Sequence, residues 1–200
     1  MAEAFGDLLA EHGIGGGLAD RLVRYLELLE RWGRTHNLVR FGSRRELVER
    51  HVVESLAGVG ALDRAGGLLV DVGSGAGLPG VPLLAAAAAW RGLLIEPRRK
   101  RWAFLRTVVR ELGLDAEVVD RRYQEVEVNG AGSIVSRATG RYGELVAWAR
   151  PRLAPGGRVL LWLGEGEAGE VESLDGWRVV TSPLPGLDRG RLAVMEPCFT

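Results

Sequence analysis

The feature that most constrains this chain is a glycine-dense turn whose sequence is Asp71-Val72-Gly73-Ser74-Gly75-Ala76-Gly77-Leu78-Pro79-Gly80. The turn follows the apolar run Leu68-Leu69-Val70 and precedes an alanine-rich stretch. Glycines permit positive φ and a close approach of the backbone to a ligand, and a strand-to-helix turn directs free N–H groups at that ligand. The turn therefore predicts a strand, a loop for a nucleotide-like cofactor and a helix.

Two cofactors fit this turn. Residues 75–80 match G-x-G-x-x-G and Glu96 lies about 20 residues further on, which is the fingerprint of dinucleotide binding. Asp71 favours S-adenosylmethionine, because a carboxylate at the end of the strand faces a pyrophosphate unfavourably but suits a positive ammonium group. A third interpretation is that the glycines form only a tight turn.

The composition is that of an ordinary globular protein. With 200 residues and 46% hydrophobic content, the chain is long enough for one large domain whose core needs no disulfide or metal cross-links. The single cysteine, Cys198, excludes a disulfide framework and a thiolate metal cluster, and a reducing compartment fits. The first residues do not resemble a signal peptide, and the apolar run over 81–90 falls short of the roughly 20 residues of a membrane span. We therefore expect a cytoplasmic monomer without metal or membrane contact.

Charge is balanced overall but concentrated locally. The formal net charge is zero, which gives no global support for binding nucleic acid. Cations nevertheless gather at Arg98-Arg99-Lys100-Arg101, Arg106, Arg110 and Arg121-Arg122. Such a run is commonly a solvated helix face. The other interpretation is a surface that binds RNA phosphates, with Trp102 stacking beside it.

The two parts of the chain have different hydrophobic periods. Apolar residues from Leu18 to Trp32 recur at helical spacing, and Ser43-Arg44-Arg45-Glu46 is typical of a capping box that opens a second helix. From Leu68 onward short apolar runs alternate with helices, which predicts a parallel sheet covered on both faces. The predicted strands are 68–72, 93–96, 116–119, 133–136, 158–163, 177–181 and 191–195, and the predicted helices are 79–89, 99–112 and 141–150 with a short turn near 123–126.

This pattern predicts the S-adenosylmethionine-dependent methyltransferase variant of the Rossmann-like α/β fold. Five strands are joined by helical crossovers, and Pro183, Pro185 and Gly186 mark a loop that closes the last two strands into an antiparallel hairpin. The sheet is thus seven-stranded and mostly parallel, with an antiparallel last strand. We expect residues 1–62 to be a helical extension packed on the same domain and residues 63–200 to be the methyltransferase domain.

The carboxyl ends of the predicted strands carry the candidate site, because ligands of open α/β sheets bind there. The glycine loop would hold the methionine part of the cofactor, with Asp71 contacting its ammonium directly or through water. Glu96 ends the second strand with two acceptors for the ribose hydroxyls, unless it forms a surface ion pair with Arg98 or Arg99. Arg137 ends the fourth strand, where the methyl group and substrate meet, unless it is a surface cation.

Five segments occur together in one order and spacing. They are residues 31–38, 50–56, 71–83, 100–106 and 136–138. With them the chain resembles the RsmG (GidB) family, bacterial methyltransferases that modify guanine N7 in small-subunit (16S) ribosomal RNA, from about Leu18 to Met195. The chain departs from the family at Glu54, where Asp is common, and at Leu163-Gly164, where a Lys-Gly is common.

The resemblance implies S-adenosylmethionine as cofactor and 16S ribosomal RNA or the small ribosomal subunit as partner. It implies that Gly73, Leu78, Tyr123, Gln124 and Arg137 occupy the family's cofactor-contacting positions, and on the residues alone Tyr123 and Gln124 are candidates to stack on and read the adenine. The predicted cofactor residues are Asp71, Gly73, Ser74, Gly75, Gly77, Leu78, Glu96, Tyr123, Gln124 and Arg137.

The chemistry expected at such a site is simple. The chain lacks an Asn or Asp followed by Pro-Pro and an aromatic after the fourth strand, and it lacks a Pro-Cys nucleophile. Guanine N7 needs neither, because its lone pair carries no proton and needs only alignment. Arg137, the predicted catalytic residue, would hold the cofactor carboxylate or donate to guanine O6. The alternatives are a non-catalytic RNA-binding or ribosome-assembly factor, favoured by the missing cation at Leu163, and a nicotinamide-dependent oxidoreductase.

Overall fold

The computed structural model describes residues 3–33, 38–63, 65–137, 140–186 and 190–198. Residues 34–37 of the first family-like segment and Ala138 of the last one lie outside the described residues.

The N-terminal part is helical, as its periodicity predicts. The helices are α1 (Phe5–Glu11), α2 (Gly16–Gly33), α3 (Arg44–Leu47) and α4 (Glu54–Leu56), with a π-helix over Val48–Val53 and a 3₁₀ turn over Val59–Ala61. Ser43 caps α3 by accepting the N–H of Glu46 at 3.1 Å. The Glu46 carboxylate accepts the N–H of Gly42 at 2.7 Å, one residue before the partner that a full capping box would use. The sequence prediction missed α1.

Seven strands form one mixed sheet. They are β1 (Gly67–Val72), β2 (Trp90–Ile95), β3 (Ala116–Val119), β4 (Ala131–Arg137), β5 (Leu153–Leu163), β6 (Trp177–Pro183) and β7 (Arg191–Pro197). Their order is β3-β2-β1-β4-β5-β7-β6, and β7 is antiparallel to both of its neighbours while the other pairs are parallel. The predicted fold class is confirmed. Strand order reverses between β1 and β4, which is where such sheets bind ligands.

Helices cover both faces of the sheet. They are α5 (Gly80–Ala86), α6 (Arg99–Leu112), α7 (Tyr142–Ala149) and α8 (Ala168–Glu172), with 3₁₀ turns over Tyr123–Glu125, Arg150–Arg152 and Glu165–Glu167. The N-terminal helices, α5 and α6 share one buried cluster that includes Tyr25, Leu69 and Phe104. The other face buries a second cluster, including Val70 and Tyr142, under α7 and α8.

Two predicted boundaries near the first crossover are wrong. The helix predicted over 79–89 ends at Ala86, and β2 begins at Trp90 rather than at Leu93. The Trp90 side chain is buried and its Nε1 donates to the carbonyl of Asp63 at 2.8 Å, which fixes the start of β2. An alanine run has high helix propensity, so propensity alone extends the helix too far. Strand β5 likewise begins earlier than predicted, and α8 was missed.

Two features are absent from the part of the chain that the structure describes. No helix there is long and apolar enough to span a bilayer. Nor do three or more His, Cys, Asp or Glu side chains of those residues gather in a way that would hold a metal ion.

Candidate functional site

The glycine turn connects β1 to α5 through left-handed backbone. Gly73, Gly75 and Gly77 have φ of 72°, 58° and 92°, which an L side chain adopts only with strain. A Cβ on Gly77 would also lie 2.6 Å from Val81 Cγ2. The N–H groups of Gly73 and Ser74 donate to the carbonyl of Ile95 at 2.9 and 3.0 Å. The glycines thus allow a tight loop that is attached to the end of β2.

Helix α2 contacts this loop through a buried side chain. Tyr25 is fully buried, and its hydroxyl donates to the carbonyl of Ala76 at 2.7 Å. From sequence Tyr25 is only one apolar position of an amphipathic helix, so its role was missed. The available signal was a tyrosine in a stripe of leucines, because a buried tyrosine hydroxyl usually has a hydrogen-bond partner.

Glu96, just after β2, closes the loop on its other side. Its side chain is buried, Oε2 accepts the N–H of Gly75 at 3.0 Å, and Oε1 accepts the N–H of Arg98 at 2.8 Å. The alternative of a surface ion pair with Arg98 or Arg99 is wrong: the contact is to the Arg98 backbone, and the nearest guanidinium, of Arg101, lies 4.0 Å away. Each carboxylate oxygen keeps a further lone pair, so a contact to the ribose stays a prediction.

Asp71 lies beneath the loop. It is fully buried, its Oδ2 accepts the N–H of Gly80 at 3.1 Å, and a Cβ on Gly80 would come within 2.4 Å of that oxygen. Burial raises the pKa of Asp71 to about 7, and the hydrogen bond from the N–H of Gly80 opposes the rise. The Ser74 hydroxyl donates to the main-chain carbonyl of Asp71 at 2.9 Å rather than to the carboxylate. The other oxygen, Oδ1, has no hydrogen-bond partner among the described residues. Because the side chain is fully buried, a contact from Asp71 to the ammonium of a ligand stays a prediction, and the burial favours its water-mediated form.

Arg137 ends β4 beside the loop. Strands β1 and β4 pair Asp71 with Val135, and the Ser136 hydroxyl donates to the carbonyl of Val72 at 2.8 Å. The Arg137 guanidinium contacts Glu54 Oε2 at 2.6 Å. Its side chain is only 23% exposed and that of Glu54 only 1%, so the surface-cation interpretation of Arg137 is wrong. Sequence reasoning named Glu54 only as a departure from the family and missed its contact with Arg137.

The remaining predicted residues lie further along the same edge. Tyr123 and Gln124 form the 3₁₀ turn after β3. The half-buried Tyr123 ring packs edge-to-face against Trp148 with 5.2 Å between centroids, and Gln124 is exposed. Leu163, at the end of β5, is buried in the core cluster under α7 and α8 and lies opposite Arg191 of β7.

A Rossmann-like sheet with one reversed strand, a glycine loop and a carboxylate after β2 defines an S-adenosylmethionine-dependent methyltransferase. The same fold occurs in the crystal structure of an S-adenosylmethionine-dependent methyltransferase from Aquifex aeolicus, with a TM-score of 0.60, 16% identity, and 75% of this chain and 92% of that chain covered. It also occurs in the ribosomal protein L11 methylase of Lactobacillus delbrueckii subsp. bulgaricus, with a TM-score of 0.63, 12% identity, and 80% and 81% covered.

Sequence comparison assigns the family within this class. The chain belongs to the rRNA small subunit methyltransferase G (GidB) family, whose model matches residues 19–181. It is 37% identical over 185 residues to the ribosomal RNA small subunit methyltransferase G of Stenotrophomonas maltophilia strain K279a, covering 90% of this chain and 86% of that protein. The protein of the same name from Paramagnetospirillum magneticum is 34% identical over 190 residues, covering 94% and 92%. The predicted family is confirmed, and the nicotinamide-dependent alternative is not favoured.

Proposed function

We propose that the protein transfers a methyl group from S-adenosylmethionine to N7 of a guanine in 16S ribosomal RNA. The names of its relatives support the RNA as substrate. The observation that carries the chemistry is Arg137, a partly buried cation that ends β4 directly beside the glycine loop.

The described residues fit the cofactor. The unpaired Oδ1 of Asp71 suits the ammonium of the methionine part, and Glu96 suits the ribose. The N–H groups of Gly73, Ser74, Gly75, Gly77 and Leu78 already donate within the chain, so they do not form the free donor cradle that the sequence predicts. Tyr123 and Gln124 lie on the same sheet edge for the adenine. The bound cofactor supplies an electrophilic methyl group on a sulfonium.

The chain's own residues then have little proton chemistry to perform. Guanine N7 carries no proton, so the carboxylates of Asp71, Glu96 and Glu54 are not needed as bases, and each already has a hydrogen-bond donor. The task that remains is alignment and tolerance of the positive charge that develops on the base. Arg137 would donate to guanine O6 or to the cofactor carboxylate.

Five exposed cations suit the RNA backbone. Arg98, Arg99 and Lys100 open α6, and Arg121 and Arg122 follow β3; we name this set the basic rim. Because β2 and β3 pair Ile95 with Val119, both groups lie on the edge of the sheet that carries the loop. No member of the rim forms an ion pair with any residue that the structure describes.

The structure reduces the set of cations that the sequence offers for phosphate binding. Arg110 pairs with Glu111 at 3.3 Å, and the Arg106 guanidinium lies 4.8 Å from the centre of the Trp102 ring. Phosphate binding is therefore proposed for the basic rim rather than for Arg110. Unpaired cations gain most from phosphate contact, since they give up no existing partner.

Contacts between the two parts of the chain support treating them as one domain. Tyr25 bonds the loop carbonyl of Ala76, and Arg21 donates to the carbonyl of Ala85 at 2.9 Å. We propose that residues 1–62 are an extension packed on the methyltransferase domain of residues 63–200. We further propose that the enzyme acts in the cytoplasm and is a monomer. Light scattering at micromolar concentration would test the oligomeric state.

The central experiment is methyl transfer from labelled S-adenosylmethionine to small ribosomal subunits purified from cells that lack this gene. Label is expected in 16S ribosomal RNA, with mass spectrometry of nuclease fragments identifying N7-methylguanine, and Arg137→Ala is expected to abolish it. A folded protein that binds the cofactor and the RNA but transfers no label would instead support the assembly-factor alternative.

A further inference from the structure

The guanidinium of Arg137 is held by elements that precede the sheet. Its Nη2 donates both to Oε2 of Glu54 at 2.6 Å and to the carbonyl of Arg50 at 2.9 Å. These partners lie 83 and 87 residues away in the sequence. Two acceptors on one nitrogen fix the direction of the side chain, which a single exposed ion pair does poorly.

The π-helix over Val48–Val53 makes this arrangement available. The backbone N–H of Glu54 donates to the carbonyl of Glu49, five residues earlier, so it does not use the Arg50 carbonyl as an α-helix would. The Arg50 carbonyl instead accepts from Arg137. The carbonyl of Glu54 accepts the Nε1–H of Trp162 at 2.7 Å. Glu54 is therefore fixed to β5 through its backbone and to β4 through its side chain.

Both side chains keep one polar atom unused. Oε1 of Glu54 and Nη1 of Arg137 are buried and have no hydrogen-bond partner within the described ranges. Burial raises the pKa of Glu54 and lowers that of Arg137, and the charge of each residue opposes the shift of the other. A pair with a purely structural role would gain by satisfying all four atoms, because an unpaired buried polar group is costly. Glu54 therefore fixes one nitrogen of the guanidinium and leaves Nη1 as a donor that no described residue uses.

We propose that Glu54 is a positioning residue that holds the charged Arg137 guanidinium at the end of β4 for the methyl-transfer step. The proposal rests on the function proposed above, in which Arg137 contacts the guanine or the cofactor. Glu54 itself touches neither. A displacement of about 1 Å in an aligning group can reduce a rate on the order of 100-fold, so removing the Glu54 charge is expected to reduce kcat through Arg137.

The test is a double-mutant cycle in the methyl-transfer assay on small subunits, with kcat, both KM values and the cofactor dissociation constant measured for each variant. Glu54→Gln keeps the size of the side chain and removes its charge, Arg137→Met removes the guanidinium, and the third variant combines both. We expect Arg137→Met to lower kcat. We expect Glu54→Gln to lower kcat as well, by at least about tenfold. We expect the double variant to be no slower than Arg137→Met alone, because Glu54 acts through Arg137.

Two further variants separate positioning from folding. Glu54→Asp keeps the carboxylate on a shorter arm and is expected to recover most of the activity that Glu54→Gln loses. Glu30→Gln is the control, because Glu30 also pairs with an arginine of the N-terminal helices, Arg44, through two bonds of 2.8 Å each, but on a side chain that is 24% exposed and bonds to α3 rather than to β4. It is expected to leave kcat unchanged. Thermal unfolding of every variant identifies any loss of fold. If Glu54→Gln does not fold, Glu54→Ala, which also removes the carboxylate, takes its place in the double-mutant cycle.

The outcomes distinguish this proposal from the function on which it rests. Normal kcat in Glu54→Gln together with loss in Arg137→Met would overturn the positioning role and leave the proposed function intact. Independent, multiplying losses in the double variant would also overturn it. Full activity in Arg137→Met would overturn the proposed role of Arg137 itself.

Discussion

The backbone N–H of Gly75 donates to Oε2 of Glu96 over 3.0 Å, and this bond attaches the loop after β1 to the residue that follows β2. The conformation of the loop therefore depends on a side chain that is also the candidate acceptor for the ribose. One substitution at Glu96 would remove both.

We accordingly expect Glu96→Ala to raise the dissociation constant of S-adenosylmethionine by roughly 10- to 100-fold, since a hydrogen bond to a charged group contributes about 1.5–3 kcal/mol. Isothermal titration calorimetry measures this directly. Glu117→Ala is the control, because Glu117 is an exposed residue of β3. Equal affinity of the two variants would contradict a role for Glu96 in the site.

Tyr25→Phe removes only the hydroxyl that bonds the carbonyl of Ala76. We expect the free energy of unfolding to fall by about 1 kcal/mol, because a buried acceptor loses its donor. We also expect weaker cofactor binding, by about threefold to tenfold, since the loop loses its support from α2. Tyr142→Phe changes a tyrosine buried on the other face of the sheet and should leave the cofactor affinity unchanged. Chemical denaturation and calorimetry on both variants provide the comparison.

The buried carboxylate of Asp71 gives stability a defined pH dependence. Its pKa is about 7 in the folded protein, above the ordinary value of 3.8, so the folded state binds this proton more tightly than the unfolded chain does. Its contribution to the free energy of unfolding is therefore complete below the ordinary pKa and declines as the pH rises through 7.

Asp71→Asn keeps an oxygen for the N–H of Gly80 and cannot ionise. Without cofactor, we expect this variant to be more stable than wild type at pH 8, by roughly 1–3 kcal/mol, and the difference to disappear near pH 4. Urea unfolding of both proteins across this pH range measures the difference in their free energies of unfolding. Other titrating groups contribute nearly equally to both proteins, so their effect largely cancels. A difference that grows toward low pH would contradict the assignment.

The basic rim predicts how RNA binding responds to salt. Replacing Arg99 and Arg122 with Gln should weaken binding to small-subunit RNA and reduce the slope of log K against log salt by about 0.7–0.9 for each phosphate that the protein no longer neutralises. Arg178→Gln is the control, because Arg178 lies at the start of β6 and pairs with Glu196. Filter-binding assays at salt concentrations from about 50 to about 300 mM give the slopes. An unchanged slope in the rim variant would place the RNA elsewhere.

Local sequence patterns predicted the sheet well because each strand carries its own signal. Ala116–Val119 and Arg99–Leu112 have the predicted boundaries, the latter ended by Gly113 in a left-handed conformation. The site residues nearest the loop also follow from local reasoning. Asp71 and Glu96 end adjacent strands, and strand ends of a parallel sheet share one edge.

The contacts that orient the site were beyond such reasoning, because they join residues far apart in the chain. Nothing in the helical spacing around Glu54 indicates that its carboxylate meets Arg137, and nothing around Tyr25 identifies Ala76 as its acceptor. The π-helix that separates Arg50 from its usual backbone partner also has no signature in the local sequence pattern. These features depend on how the N-terminal helices dock onto the sheet, which tertiary packing decides.

The reversed direction of β7 has a practical consequence. Its last residues lie beside the beginnings of β5 and β6, at the end of the sheet opposite the glycine loop, and the exposed Cys198 follows there as the single cysteine of the sequence. A fluorophore or surface linker attached to this thiol would sit away from the cofactor and the basic rim. The wild-type protein can thus be labelled at one position for fluorescence anisotropy, or attached to a surface for binding measurements. Neither use requires a tag near the end of the sheet that carries the glycine loop and the basic rim.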